Sequence, residues 1–117
     1  MVKCDICIDV DDVGRAVRFY GESIGLSVVK QEADWAQLKV GDQTLWIMKS
    51  APGPSGAISR DYRRHWTPVH LDFQVEDIDK TIERAIAAGG KLEARPKSSL
   101  ANLSDPAGNG VDLVQAS

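Results

Sequence analysis

No stretch of this sequence stays apolar long enough to cross a bilayer, and its opening MVKCDICIDV lacks a basic region followed by a long apolar run. Neither a membrane span nor a signal peptide is expected. No charge of one sign dominates either: the formal net charge of −3 gives no electrostatic reason to expect a nucleic-acid partner, whose binding relies on clustered Lys and Arg. Cysteine is scarce. The two present, Cys4 and Cys7, have a C-x-x-C spacing but fall in what reads as a strand, where residues three apart point to opposite faces. They are therefore read as small packing residues of a reduced, cytoplasmic protein rather than as a disulfide or half a zinc site.

What is present is an ordinary globular composition, 43% hydrophobic and 26% charged over 117 residues. That length suits one compact domain and is short for two. The chain also says nearly the same thing twice. DICIDVDDVGRAVRFYGESIG, from Asp5, and HLDFQVEDIDKTIERAIAAGG, from His70, share one pattern end to end, with Val10/Val75, Asp12/Asp77 and Gly25/Gly90 identical. A half-length duplication predicts two small units with a common core and a site where they face each other. The expected division is a single domain over 1–117, with a first module at 1–49, a linker at 50–67 and a second module at 68–117.

Each module reads as strand, helix, then three strands. Ile6, Ile8 and Val10 alternate with Asp5, Cys7 and Asp9, the period of a half-buried strand. Asp11 or Asp12 then caps a helix with Val13, Ala16, Val17, Tyr20 and Ile24 inward and Gly25 as its stop. Strands follow around LSVVK, WAQLKV and QTLWIM, the last two joined by Gly41-Asp42. The second module predicts a strand from Val69 to Val75, Asp77 as cap, a helix with Ile78, Ile82, Ala85 and Ile86 inward, and Gly89-Gly90 as its end. Strands at KLEAR, LANLS and VDLVQ complete it, the last two separated by the turn-rich DPAGNG.

Parity assigns the faces. Leu45, Ile47, Leu71, Phe73, Val75, Val111 and Leu113 belong to the helix-packed side, which leaves Asp5, Cys7, Asp9, Thr44, Trp46, Met48, His70, Asp72, Gln74, Asp112 and Val114 on the other. A face that is merely solvated seldom carries Trp and Met beside Asp and His, whereas a ligand cleft needs apolar surface with a few fixed polar groups. The candidate ligand-binding set is Asp5, Asp9, His70, Asp72 and Asp112 as polar contacts, with Trp35, Trp46 and Met48 as walls. The same face could serve as a dimer interface. The linker SAPGPSGAISRDYRRHWTP adds Arg60, Arg63 and Arg64, which could hold an anionic group beneath Trp66, or could simply be a solvated crossover with Trp66 packed on the sheet.

The paired β-α-β-β-β modules, Phe19-Tyr20 in the opening pattern, its echo from Val69, and the closing SDPAGNGVDLVQ resemble the vicinal oxygen chelate superfamily of glyoxalases, bleomycin-resistance proteins and extradiol dioxygenases. The resemblance covers essentially the whole chain. It implies an α+β fold of two βαβββ modules forming cupped mixed sheets with helices on the outer faces, and a homodimer. It does not choose among isomerases, dioxygenases, thiol transferases and metal-free binding proteins. Metal-using members place ligands on the first and fourth strands of each module, which here are Asp5, Trp46, His70 and Asp112. Trp46 cannot ligate, so the resemblance leaves Asp5, His70 and Asp112 as a possible site for Mn²⁺, Fe²⁺ or Mg²⁺. Asp5 and Asp112 stand where such members usually carry His and Glu. The expectation taken forward is a cytoplasmic homodimer binding a small polar or aromatic organic molecule without a metal. The alternatives are a metal-dependent enzyme and a protein-interaction module with no ligand.

Overall fold

The structure, a computed structural model, describes residues 3–51, 53–55, 58–65, 67 and 69–117, with backbone alone at 53–55 and 58–60. Trp66 and the side chain of Arg60 lie outside the described residues. The first module runs β1 (Ile6–Val10), α1 (Val13–Val17) continuing as a π-helical stretch (Arg18–Ile24), β2 (Ser27–Gln31), β3 (Trp35–Val40) and β4 (Gln43–Lys49). A short hairpin, β5 (Gly53–Ser55) and β6 (Ile58–Arg60), lies in the linker, which sequence alone presented as loop. The second module is β7 (Leu71–Val75), α2 (Ile78–Ala87), β8 (Lys91–Lys97), β9 (Leu100–Ser104) and β10 (Gly110–Gln115).

The two sheets have the same topology, β1-β4-β3-β2 and β7-β10-β9-β8, with one parallel pair at the β1 or β7 edge and antiparallel pairs elsewhere. Even the register repeats. Cys7 pairs with Trp46 in the first sheet as Asp72 pairs with Asp112 in the second. Asp5 and His70 each stand one residue before the first strand of their module. Trp46 and Asp112 are thus structural equivalents, and so are Asp5 and His70.

Local chemistry accounts for the elements. Asp12 and Asp77 are extended-backbone N-caps whose carboxylates accept from the amides of Arg15 and Lys80. Gly25 ends the first helix at φ 101°, a left-handed conformation that costs glycine little. The π-helical stretch departs from the α-helical expectation. Its wider turn adds Phe19 and Ser23 to the buried face beside Tyr20 and leaves Ile24 half-buried. In α2, Ile78, Thr81, Ile82 and Ala85 are buried, while Ile86, expected inward, is 50% exposed because Thr81 takes the fourth inward place. Val69 is 81% exposed, so β7 starts later than its apolar run suggested. Gln115 ties α2 to the sheet: its Oε1 accepts from the Ile78 amide at 3.0 Å and its Nε2 donates to the Glu76 carbonyl at 2.6 Å.

One core spans both halves, from Val10, Phe19 and Tyr20 through Leu38, Leu45 and Ile47 to Phe73, Ile82, Leu103 and Leu113. The helices of the two modules meet there. Ser23 Oγ donates to the Arg84 carbonyl, Arg84 Nε donates back to the Ser23 carbonyl, and Gly90 lies so close to Phe19 that a Cβ would overlap the ring. A second tie uses the two motifs that carried the resemblance. Tyr20 Oη donates to Asp105 Oδ2 at 2.7 Å, and that carboxylate also accepts from the amides of Ala107 and Asn109 and from Asn109 Nδ2. Burial pushes the Asp105 carboxyl above its usual range, although its donors pull the other way. Burial, with the Asp105 charge beside it, holds the Tyr20 phenol well above its ordinary value.

Among the described residues no helix is long and apolar enough to cross a membrane. Cys4 and Cys7 are both free and exposed, which corrects their reading as packing residues: Cys4 precedes β1, and Cys7 lies on the face away from the helix. Thr44 keeps the side of β4 that Trp46 shares but is buried there, accepting from Lys39 Nζ across the hairpin.

Candidate functional site

The second sheet assembles the denser polar group. His70 enters just ahead of β7, Asp72 follows within it, and Asp112 sits opposite Asp72 on β10, so all three leave the backbone on the helix-free side. His70 Nδ1 lies 3.1 Å from Asp72 Oδ1 and 3.8 Å from Asp112 Oδ2, and these become ion pairs when the imidazole is protonated. One donor atom from each of the three lies within 4.8 Å of the others. Asn102, opposite Asp112 on β9, donates from Nδ2 to Asp112 Oδ1 at 2.7 Å and fixes that carboxylate's orientation. His70, Asn102 and Asp112 wall a cavity of about 370 Å³, bordered also by Arg64, Thr67, Glu93, Ala94 and Gly110; Asp72 stands outside its lining. That volume lies in the range of small-molecule pockets.

The first sheet carries the aromatic counterpart. Trp46 is half-buried, its ring centroid 6.0 Å from that of Trp35 at an interplanar angle of 59°. Trp46 Nε1 donates to Asp5 Oδ2 at 3.1 Å. Met48 is paired with Trp35 on one side and Asp9 on the other, which extends the same surface. Lys30 Nζ sits 5.7 Å from the Trp35 ring centroid, within cation–π reach. Burial, followed by the nearby Asp9 charge, raises the Cys7 thiol.

The candidate residues thus fall into two sets: Asp5, Asp9, Trp35, Trp46 and Met48 on the first sheet, and His70, Asp72 and Asp112 on the second. The three-donor cluster differs from the set Asp5, His70 and Asp112 carried over by resemblance: Asp72 is in it, and Asp5 is engaged with Trp46 instead. Asn102 and Glu93 were missed. Asn102 was legible, since in LANLS it stands between inward Ala101 and Leu103 and must face Asp112's side. Glu93 was not, because β8 has register shifts between Leu92 and Ala94 and again before Lys97 that break simple parity.

A glyoxalase-like domain family model matches residues 5–114. The chain is 33% identical over 116 residues to the anthracycline biosynthesis protein DauV of Streptomyces sp. (strain C5), a match covering 90% of this chain and 38% of that protein. It therefore spans about two fifths of the length of the curated relatives it matches. Among solved structures, a glyoxalase/bleomycin resistance protein from Albidiferax ferrireducens T118 superimposes with a TM-score of 0.71 at 20% identity, covering 98% of each chain. The fosfomycin resistance protein FosX from Mesorhizobium loti gives a TM-score of 0.73 at 15% identity, covering 99% of this chain and 92% of that one. At such identities the structural likeness speaks for the fold alone.

Proposed function

The chain belongs to the family of glyoxalase-like domains, and from that premise we propose that it binds a small polar or aromatic organic molecule on the helix-free face of its sheets. The observation that carries this reading is the cluster of His70, Asp72, Asp112 and Asn102, of which His70, Asn102 and Asp112 wall the 370 Å³ cavity. A solvated face has no need to bring an imidazole, two carboxylates and an amide together, whereas a binding site does. At the equivalent positions the first sheet substitutes Asp5 for His70, Cys7 for Asp72 and Trp46 for Asp112, giving a flat apolar surface in place of a polar one. In this reading the aromatic face takes a ring or chain of the molecule and the polar face its oxygens.

The protein acts as a homodimer in this reading, in a cytoplasmic setting that keeps Cys4 and Cys7 reduced. β2 and β8 are exposed on every residue, unusual for strands of so small a fold, and leave Val28, Val29 and Leu92 uncovered.

A divalent cation is the second reading, favoured by the same cluster. One imidazole and two carboxylates fit Mn²⁺, Fe²⁺ or Mg²⁺, and His70, Asp72 and Asp112 would hold it. Such an ion supplies Lewis-acid polarisation to an oxygen of the bound molecule. Metal analysis of tag-free protein after incubation with Mn²⁺ and Fe²⁺ separates the readings. Stoichiometric metal that disappears in His70→Ala selects the metal site. No retained metal and no thermal shift with divalent ions selects metal-free binding.

A further inference from the structure

The linker arginines named in the sequence are not absorbed by this reading, and one of them is aimed at the pocket. Residues 63–65 lie against the turn before β10. The His65 amide donates to the Gly108 carbonyl at 3.3 Å, and a Cβ on Gly108 would overlap the Arg63 carbonyl. Gly110 completes the seat: a Cβ there would stand 2.8 Å from Arg64 Nη2 and 3.1 Å from its Cζ, so the guanidinium rests on bare glycine backbone. Arg64 is held by an ion pair from Nε to Glu93 Oε2 and by a hydrogen bond from Nη1 to the His65 carbonyl. Both members of the pair border the cavity that His70 and Asp112 wall on the other side. Arg63, by contrast, spends its side chain on the neighbouring Asp61.

We propose that Arg64 is the anion-recognition residue of this pocket and that the ligand is a small hydroxy acid. The carboxylate replaces Glu93 on the guanidinium, and the hydroxyl donates toward Asp112. This inference rests on the binding reading above and narrows its ligand class. Three features support it. The pocket has a cationic end at Arg64 and a carboxylate at Asp112, which orients a molecule carrying both an acid and a donor. A guanidinium fork matches a carboxylate bidentately. The Arg64–Glu93 pair is about one third exposed on each side, and ion pairs so placed add little stability, so Glu93 yields to a better-seated carboxylate. Gly110 then has a functional reason to be glycine, as the positioning residue beneath the arginine.

Calorimetric titration of the intact protein with glycolate, lactate and mandelate, each against its neutral amide, tests the inference. The acids should bind at least tenfold more tightly than the amides. Arg64→Met should remove that preference with an unchanged thermal melt, Arg64→Lys should keep part of it, and Glu93→Gln should tighten the acids several-fold. Gly110→Ala, which displaces the guanidinium, should weaken the acids and leave the amides unaffected. Equal binding of acids and amides, or a preference that survives in Arg64→Met, overturns the role of Arg64 and leaves the pocket standing. Failure of every acid and every amide to bind overturns the inference together with the metal-free binding reading beneath it.

Discussion

At the scale of single residues, Trp46 and Tyr20 show how differently two aromatics serve one fold. Trp46 stands where the second module has Asp112, half-buried on the helix-free face, with its indole N–H on Asp5. In the proposed binding reading its ring is a surface for a ligand to stack on. Trp46→Ala should weaken binding of an aromatic ligand such as mandelate roughly tenfold, since aromatic contacts add about 0.5–1.5 kcal/mol beyond area burial. It should cost less than the ~3–5 kcal/mol of a core aromatic truncation. Fluorescence titration and thermal unfolding of the same variant check both halves. Tyr20 is fully buried and its hydroxyl is spent on Asp105. Because the folded state holds a proton on Asp105 more tightly than the unfolded chain does, this group's contribution is fully present below the ordinary carboxylate range. It is lost as pH rises through the raised folded value. Asp105→Asn should therefore remove a loss of stability that accompanies rising pH above the ordinary carboxylate range, read by urea unfolding across that range. Tyr20→Phe, by removing a donor that lowers the carboxyl's value, should enlarge that loss.

At the scale of elements, the joint between the π-helical stretch and the end of α2 is closely packed. Gly90 has no room for a Cβ against Phe19, and the Ala85 carbonyl closes the other side at 3.0 Å. Gly90→Ala should destabilise the fold by about 1–3 kcal/mol, as overpacking does, with a lowered urea midpoint and an unchanged m-value. The sequence made this element order readable because β1, β7, β9 and β10 alternate and each helix has an Asp cap and a Gly stop. It also made the face assignment readable at Leu45, Ile47, Val111 and Leu113, all fully or nearly buried. What it concealed has a physical reason in each case. The π-helical turn at Arg18–Ile24 breaks the 3.6-residue period on which the inward set was predicted, and Ser23, a polar residue, became core by hydrogen bonding to the Arg18 and Arg84 carbonyls. The β8 irregularities hid Glu93 from parity. The grouping of Asp72 with His70 and Asp112 depends on side-chain reach across a sheet, which spacing does not encode.

At the scale of the whole molecule, duplication has produced two sheets with one topology and one register but opposite chemistry, an aromatic face on the first and an acid–imidazole face on the second. β2 and β8 remain exposed throughout, and pairing of two copies is the simplest way to cover them. Sedimentation at micromolar concentration should report a dimer, and a clean monomer would count against the proposed homodimer. Binding of a small organic molecule to the helix-free face around His70, Asp72 and Asp112 is tested most directly by amide and indole chemical-shift mapping by NMR during titration with mandelate. Saturable shifts should gather at Asp72, Asn102 and Asp112 and at the Trp46 indole, with α2 silent. Shifts confined to the outer face of α2, or none at millimolar mandelate, would contradict it.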